Sequence, residues 1–196
     1  MVSSLTVFGH DIGSSKPKSL CDEWNVWYEG FESYGPINFN HLIKYQLTTD
    51  TIINEQRYVQ LASNEDYSPY CGALREGNNR DIYCIPAGSA HEYLLYAFNA
   101  NVGDRLTNLY LGDLGEETGY DGVVESISDG LPRVFTLRIA YPMEENMESG
   151  DSFLVRWIEG VGSSETPMGM AAVPSMTVAA DVGVYIRNGA KIRLLL

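Results

Sequence analysis

The sequence predicts an all-β fold, an antiparallel meander that forms an open barrel or a sandwich, with little helix. Short segments alternate apolar and polar residues, as His41–Thr49 does with Ile43, Tyr45 and Leu47 on one side. Turn residues separate the segments, and the chain holds 19 Gly and 13 Tyr, a composition typical of strands joined by tight turns. Because the links are short, we expect neighbouring strands to pair in sequence order.

The first twenty residues are small, polar and weakly patterned, and we interpret 1–20 as an extended or poorly ordered leader. Residues 21–196 then form a single β-rich domain, in line with the usual size of one domain. The start of the chain lacks the apolar core of a signal peptide. The chain is therefore either cytoplasmic or a mature form whose export signal has been removed.

An aromatic segment, Cys21–Tyr34, opens the domain. Its aromatic residues Trp24, Trp27, Tyr28 and Phe31 have helical spacing, but nearby glycines would end a helix early, so a strand or an irregular segment is equally open. Trp24, Trp27 and Tyr28 are candidate ligand-binding residues, because an exposed aromatic cluster can stack on a sugar or a peptide. The commoner alternative is that the cluster closes one end of the core.

Two hairpins are predicted near the middle of the chain. Thr51–Ile53 and Arg57–Leu61 flank Asn54–Glu55, a two-residue turn in which Asn tolerates a positive φ. The second hairpin joins Gly72–Arg75 and Asp81–Ile85. Further strands are predicted at Glu92–Phe98, buried on both faces, and at Arg105–Leu111, Gly122–Ser128, Arg133–Tyr141 and Ser152–Ile158, with a last hairpin of Val184–Ile186 and Lys191–Arg193 around Asn188–Gly189.

The chain has three cysteines, Cys21, Cys71 and Cys84. Cys71 and Cys84 flank the second hairpin and could face each other across it, close enough to bridge under oxidising conditions. The alternative is three unpaired, partly buried thiols.

No catalytic motif, metal motif or cofactor-binding motif has the required spacing, so we predict no catalytic residue, no metal ligand and no cofactor. A hydrolase site assembled only in three dimensions stays open. The acidic loop with Asp113, Glu116, Glu117 and Asp121 could hold calcium, although it does not match the EF-hand spacing; the alternative is a solvated loop.

The segment Trp157–Gly162 indicates a buried strand end that runs into a tight glycine turn. Phe153, Val155 and Trp157 alternate on one face, which predicts that Trp157 lies in the core. Glu159 follows among apolar residues, and we expect its carboxylate to accept backbone N–H groups of the turn. This predicts a structural rather than a catalytic role for Glu159.

The net charge of −13 excludes some classes of partner. A field of this sign repels phosphate backbones and anionic lipid headgroups, so we predict no nucleic-acid partner. No apolar stretch is long enough to span a bilayer as a helix, so we also predict no membrane insertion.

Several segments in fixed order resemble the uncharacterised secreted or surface-exposed β-rich domains of Bacteroidetes, which are similar to type IX secretion cargo. They are Asp50–Tyr58, Ala73–Glu76, Asp81–Tyr83, Glu92–Phe98, Val102–Asp104 and Trp157–Gly162. The resemblance implies a secreted or cell-surface location and a β fold, and it implies no catalytic residues. Glu55 departs from the pattern, because Asn-Gly is usual there.

The leading hypothesis is a non-catalytic exported or cell-surface β domain with a binding, structural or assembly role and an unknown protein or glycan partner. One alternative is a lipocalin-like carrier of small apolar ligands, since a meander barrel can enclose a cavity. The other alternative is the hydrolase with a cryptic site.

Overall fold

The described part of the protein consists of strands and turns, without a helix. The computed structural model describes residues 16–31, 38–65, 69–112, 119–140, 152–163, 167–168, 178–187 and 190–193. The strands are β1 (Glu23–Phe31), β2 (Asn38–Ile53), β3 (Gln56–Ser63), β4 (Tyr70–Glu76), β5 (Asp81–Pro86), β6 (Tyr93–Ala97), β7 (Arg105–Leu109), β8 (Tyr120–Ile127), β9 (Val134–Ala140), β10 (Ser152–Ile158), β11 (Gly162–Ser163), β12 (Val178–Arg187) and β13 (Ala190–Arg193).

The strands form one 13-stranded sheet in which sequence neighbours are spatial neighbours from β1 to β11. The hairpin β12–β13 returns from the C-terminal part of the chain and pairs with the free side of β1. Pairing is antiparallel except for a single parallel bridge between Leu94 and Leu109, next to Asn108 with φ 57°. The predicted all-β meander is confirmed, and the described strands form an open sheet that begins at β11 and ends at β13.

The aromatic segment near the start is a strand, β1, so the helical spacing of its aromatic residues does not mark a helix. Two predicted strands, His41–Thr49 and Thr51–Ile53, are one long strand, β2. The register of β2 against β3 shifts between Leu47 and Asp50. A bulge at this position lets β2 continue as one strand although the alternation of apolar and polar residues is interrupted there.

The core joins the inner faces of β1 to β10 and contains several large aromatic side chains. Tyr96 stacks on Phe98 with 5.6 Å between ring centroids and meets Trp157 edge-on at 5.5 Å. Phe98 in turn contacts Phe135 at 6.0 Å. Trp157 is buried, as predicted, and so are all residues from Leu95 to Phe98. The double-sided burial predicted for this strand is therefore confirmed.

The turn at Asn54–Glu55 has the predicted form. Ile53 pairs with Gln56, and the two turn residues have φ values of 48° and 65°. Positive φ at both central positions is the mark of a type I′ turn, which suits the twist of the flanking strands. Glu55 therefore keeps a left-handed conformation that penalises its Cβ.

The predicted leader does not extend to residue 20. Lys16–Leu20 lies within the described residues, and Pro17, Ser19 and Leu20 are buried in it. Glu76 accepts hydrogen bonds from the Ser19 hydroxyl and backbone N–H. These contacts make 16–20 part of the folded domain, while 1–15 lies outside the described residues.

The structure contains no disulfide bond among Cys21, Cys71 and Cys84, so of the two alternatives that the sequence left open, a bridge between Cys71 and Cys84 is not formed. The register of β4 against β5 places Leu74 opposite Cys84, whereas the Cys71 carbonyl accepts the N–H of Ala87. The two cysteines are therefore offset along the hairpin instead of facing each other. Cys21 and Cys84 are buried and Cys71 is half-buried.

Candidate functional site: two arginine–carboxylate clusters

Of the three candidate aromatic residues, Trp24 is fully buried. Its indole N–H donates to the Val161 carbonyl at 2.7 Å. An indole in this position belongs to the core and cannot serve as an exposed stacking platform. Trp27 and Tyr28 lie on β1, but their side chains are outside the described part of the structure.

Glu159 is the centre of one polar cluster, which we call the Glu159 cluster and which consists of Glu159, Arg80 and Arg133. Arg133 binds both carboxylate oxygens, with Nε to Oε2 at 2.8 Å and Nη2 to Oε1 at 3.1 Å. Arg80 Nη2 also donates to Oε1, at 2.9 Å. The expectation that turn N–H groups would satisfy Glu159 is corrected: charged guanidinium donors, which bind a carboxylate more strongly, take that place.

The Glu159 cluster joins the turn after β10, which contains Glu159, to three other turns at one end of the sheet. Arg80 ends the β4–β5 turn with φ 61°, and Arg133 comes just before β9. Arg133 Nη2 also donates to the Phe98 carbonyl at 2.8 Å, which brings in the turn after β6. Hydrogen bonds from both arginines hold this end of the sheet around one carboxylate.

The electrostatics of the Glu159 cluster favour the ionised carboxylate. The hydrogen bond from Arg133 lowers the pKa of Glu159, burial opposes this, and Arg80 lowers the pKa further. The same hydrogen bond raises the pKa of Arg133. A carboxylate with a lowered pKa is a poor general base and a poor general acid near neutral pH.

A second cluster, the Glu92 cluster, consists of Tyr58, Arg75, Tyr83 and Glu92. The registers of β3, β4 and β5 place Arg75 between the two tyrosines, with its guanidinium 4.4 Å from the Tyr83 ring centroid and 5.9 Å from that of Tyr58. Glu92 accepts two hydrogen bonds of 2.6 Å from Arg75 and one of 2.6 Å from the Tyr58 hydroxyl. Tyr58 also packs with a small apolar group, Ala73 and Ile85.

The Glu92 cluster is likewise satisfied internally. Burial raises the pKa of Glu92, but the hydrogen bonds from Arg75 and Tyr58 outweigh burial, so that the pKa is lowered. Burial and the hydrogen bond to Glu92 raise the pKa of Tyr58. Both clusters can therefore hold strands in register, and neither presents an activated nucleophile or base.

Sequence reasoning found Glu159 but missed both of its arginines and the whole Glu92 cluster. Arg80 and Arg133 are 79 and 26 residues away from Glu159 along the chain. The sequence carried only a partial signal that these arginines lie at the end of the sheet: each directly follows turn-forming residues and precedes a strand.

The calcium hypothesis falls mostly outside the described residues, because only Asp121 of the four acidic residues is described. Within the described ranges, no three acidic, histidine or cysteine side chains come together as metal ligands would. A search of the same ranges finds no helix with the length and apolar character needed to cross a membrane.

Comparisons with known proteins do not supply a family for this chain. No protein-family model matches the sequence, and no curated protein or solved structure matches it either.

Proposed function

We propose that this chain is a non-catalytic, exported or cell-surface β domain of the Bacteroidetes type, with a role in binding or in structural assembly. The observation that carries the proposal is the Glu159 cluster, in which the most distinctive acidic residue of the sequence is committed to two arginines. The hydrogen bonds of this cluster join four turns and commit the Glu159 carboxylate to a structural role.

The segments that carry the resemblance support a scaffold. Asp50–Tyr58 forms the end of β2, the type I′ turn and the start of β3. Glu92–Phe98 contains the doubly buried strand β6, and Trp157–Gly162 contains the buried end of β10 and its glycine turn. These segments build turns and core, so the resemblance in them is one of architecture. Shared architecture is what we expect of domains that act as scaffolds for a binding surface.

The described interior favours this proposal over a ligand carrier. A carrier needs an apolar cavity of some 300 Å³ or more. Inside the described core, Tyr96 instead packs against Phe98 and Trp157. Every described side-chain N or O atom that is fully buried also has a hydrogen-bond partner, as in a core built for packing.

The export half of the proposal is tested by locating the protein in cells. The gene, with its native upstream sequence and an epitope tag, is expressed in a Bacteroidetes host, and intact cells are treated with proteinase K. We expect the tag to appear in the medium or to be digested on intact cells, while a cytoplasmic marker survives. Tag signal that stays protected until lysis contradicts export.

The non-catalytic half is tested with Glu159→Gln, which keeps the size of the side chain and removes its charge. We expect a lower unfolding midpoint and unchanged behaviour toward panels of ester, peptide and glycoside substrates and toward a glycan array. If the variant keeps its stability but loses a turnover that the parent shows, the chain is a hydrolase instead.

A further inference from the structure

The residues Lys16–Asp22, which we call the strap, precede β1 and lie across one end of the sheet. They belong to no strand, yet Ser19 and Leu20 are 3% exposed and Cys21 is fully buried. Buried backbone outside a ladder needs partners from elsewhere in the protein. The hairpin β4–β5 supplies several of those partners through Glu76 and Arg80.

Glu76, at the end of β4, holds the strap through its carboxylate. The carboxylate accepts the backbone N–H groups of Lys18 and Ser19 and the Ser19 hydroxyl, the last at 2.5 Å. Arg80 Nε donates to the same hydroxyl oxygen at 3.0 Å. One carboxylate thus satisfies two neighbouring N–H groups of the strap.

The inner side of the strap touches the edge of the core. The Cys21 thiol contacts the Val161 carbonyl at 3.9 Å, and the Trp24 indole N–H donates to the same oxygen. Leu20, Cys21 and Trp24 all belong to the main apolar cluster. Lifting the strap would therefore uncover apolar surface next to Trp24.

The strap is bonded differently from the sheet beneath it. The strap lies outside all of the described strands, and its bonds between backbone groups include those of Leu20 N–H to the Pro17 carbonyl at 3.4 Å and of Leu47 N–H to the Asp22 carbonyl at 3.0 Å. Strand β5, which contains Cys84, is laddered on both sides, with Cys84 opposite Leu74 and Tyr93. Segments with few ladder bonds open at lower free energy than central strands.

We propose that the strap is a releasable cover, which opens as a unit while the sheet stays folded and exposes the apolar edge of the core at Trp24. Glu76 is its principal attachment. This inference concerns the folded domain itself and does not depend on the function proposed above.

Two cysteines report strap opening and global unfolding separately. Cys21 lies on the strap and Cys84 lies in the centre of the sheet, and both are fully buried. The full chain is labelled with iodoacetamide under native conditions, and mass spectrometry of its peptides gives a rate for each thiol. Each rate is compared between variant and parent at the same thiol, so that differences in intrinsic reactivity cancel.

We expect Glu76→Gln to raise the labelling rate of Cys21 by about tenfold or more and to leave that of Cys84 unchanged, because loss of a charged acceptor weakens only the strap. Ser19→Ala removes the hydroxyl shared by Glu76 and Arg80 and should act in the same direction. The matched control is Glu125→Gln, which breaks an ion pair with Arg138 between β8 and β9. It should leave the Cys21 rate unchanged.

Equal acceleration of Cys21 and Cys84 in Glu76→Gln and Ser19→Ala would show that exposure needs global unfolding, and it would overturn the proposal. An unchanged Cys21 rate in both variants would also overturn it, since Glu76 would then not hold the strap. If Glu76→Gln does not fold, the comparison of Ser19→Ala with Glu125→Gln decides alone.

Discussion

The ring of Tyr96 lies directly against the backbone of Gly162, so that a Cβ at position 162 would come within 2.7 Å of the ring atom Cζ and of the hydroxyl oxygen. The hydroxyl is itself fixed there, because it accepts the Ser163 N–H and donates to the Pro167 carbonyl, both at 2.9 Å. Gly162 also has a φ of 107°. The glycine turn after β10 is therefore shaped by an aromatic ring of β6.

Gly162→Ala should destabilise the protein by about 2–4 kcal/mol, through a left-handed residue with a Cβ and through overpacking against Tyr96. Denaturant titration measures the change. Gly103→Ala is the matched control: Gly103 has φ 92° but nothing within 4 Å of the added Cβ. That variant should show the conformational part alone, about 1 kcal/mol. Equal losses in the two variants would contradict a close approach of Tyr96.

Glu55→Gly should stabilise the protein by up to about 1 kcal/mol, because Glu55 has a positive φ of 65° and Gly adopts this conformation without a Cβ penalty. Glu55→Ala separates this effect from loss of the exposed charge, since alanine keeps the Cβ. The midpoint of denaturant unfolding is the measurement. A gain in stability with alanine as large as with glycine would assign the effect to charge.

Trp157→Ala should cost about 3–5 kcal/mol, because Trp157 is 1% exposed and packs edge-on against Tyr96. Leu154→Ala on the same strand should cost far less, since Leu154 is 55% exposed on the opposite face. Thermal unfolding of both variants tests the alternation of β10. A larger loss in Leu154→Ala would show that the faces are assigned the wrong way round.

Acid should destabilise the protein partly through Glu159. The pKa of this carboxyl is lowered in the folded state, first by the Arg133 hydrogen bond. The stability that the ionised Glu159 carboxylate adds is therefore fully present above the pKa of about 4.3 that this group has in the unfolded chain. It is lost as the pH falls through the lower pKa that the group has in the folded protein. Glu159→Gln should flatten the fall in unfolding free energy below about pH 5.

Arg133→Met provides the complementary test of this pH dependence. Arg133 is the group that chiefly lowers the pKa of Glu159, so its removal should shift the acid-induced loss of stability to higher pH. Unfolding free energies measured at a series of pH values compare the two variants with the parent. If the unfolding free energy falls equally steeply with decreasing pH in the parent and in Glu159→Gln, Glu159 does not contribute to acid destabilisation as described.

Local patterns predicted the strands and their order, because alternation and turn residues act over a few positions. The type I′ turn at Asn54–Glu55 and the inward face of Trp157 followed from such patterns. The partners of Glu159 did not, because they depend on how the sheet curls and brings distant turns together. The offset of Cys71 from Cys84 depends on strand register, which hairpin spacing alone does not determine.

The pairing of β1 with β12 has a consequence for how the chain folds. Most strands pair with a sequence neighbour, which keeps contacts local, but Glu23 pairs with Ile186 near the other end of the chain. Closing so long a loop is slow. During synthesis, the side of β1 that pairs with β12 therefore stays unpaired until residues from Val178 onward have been made. Chains truncated before Val178 should aggregate through this exposed edge.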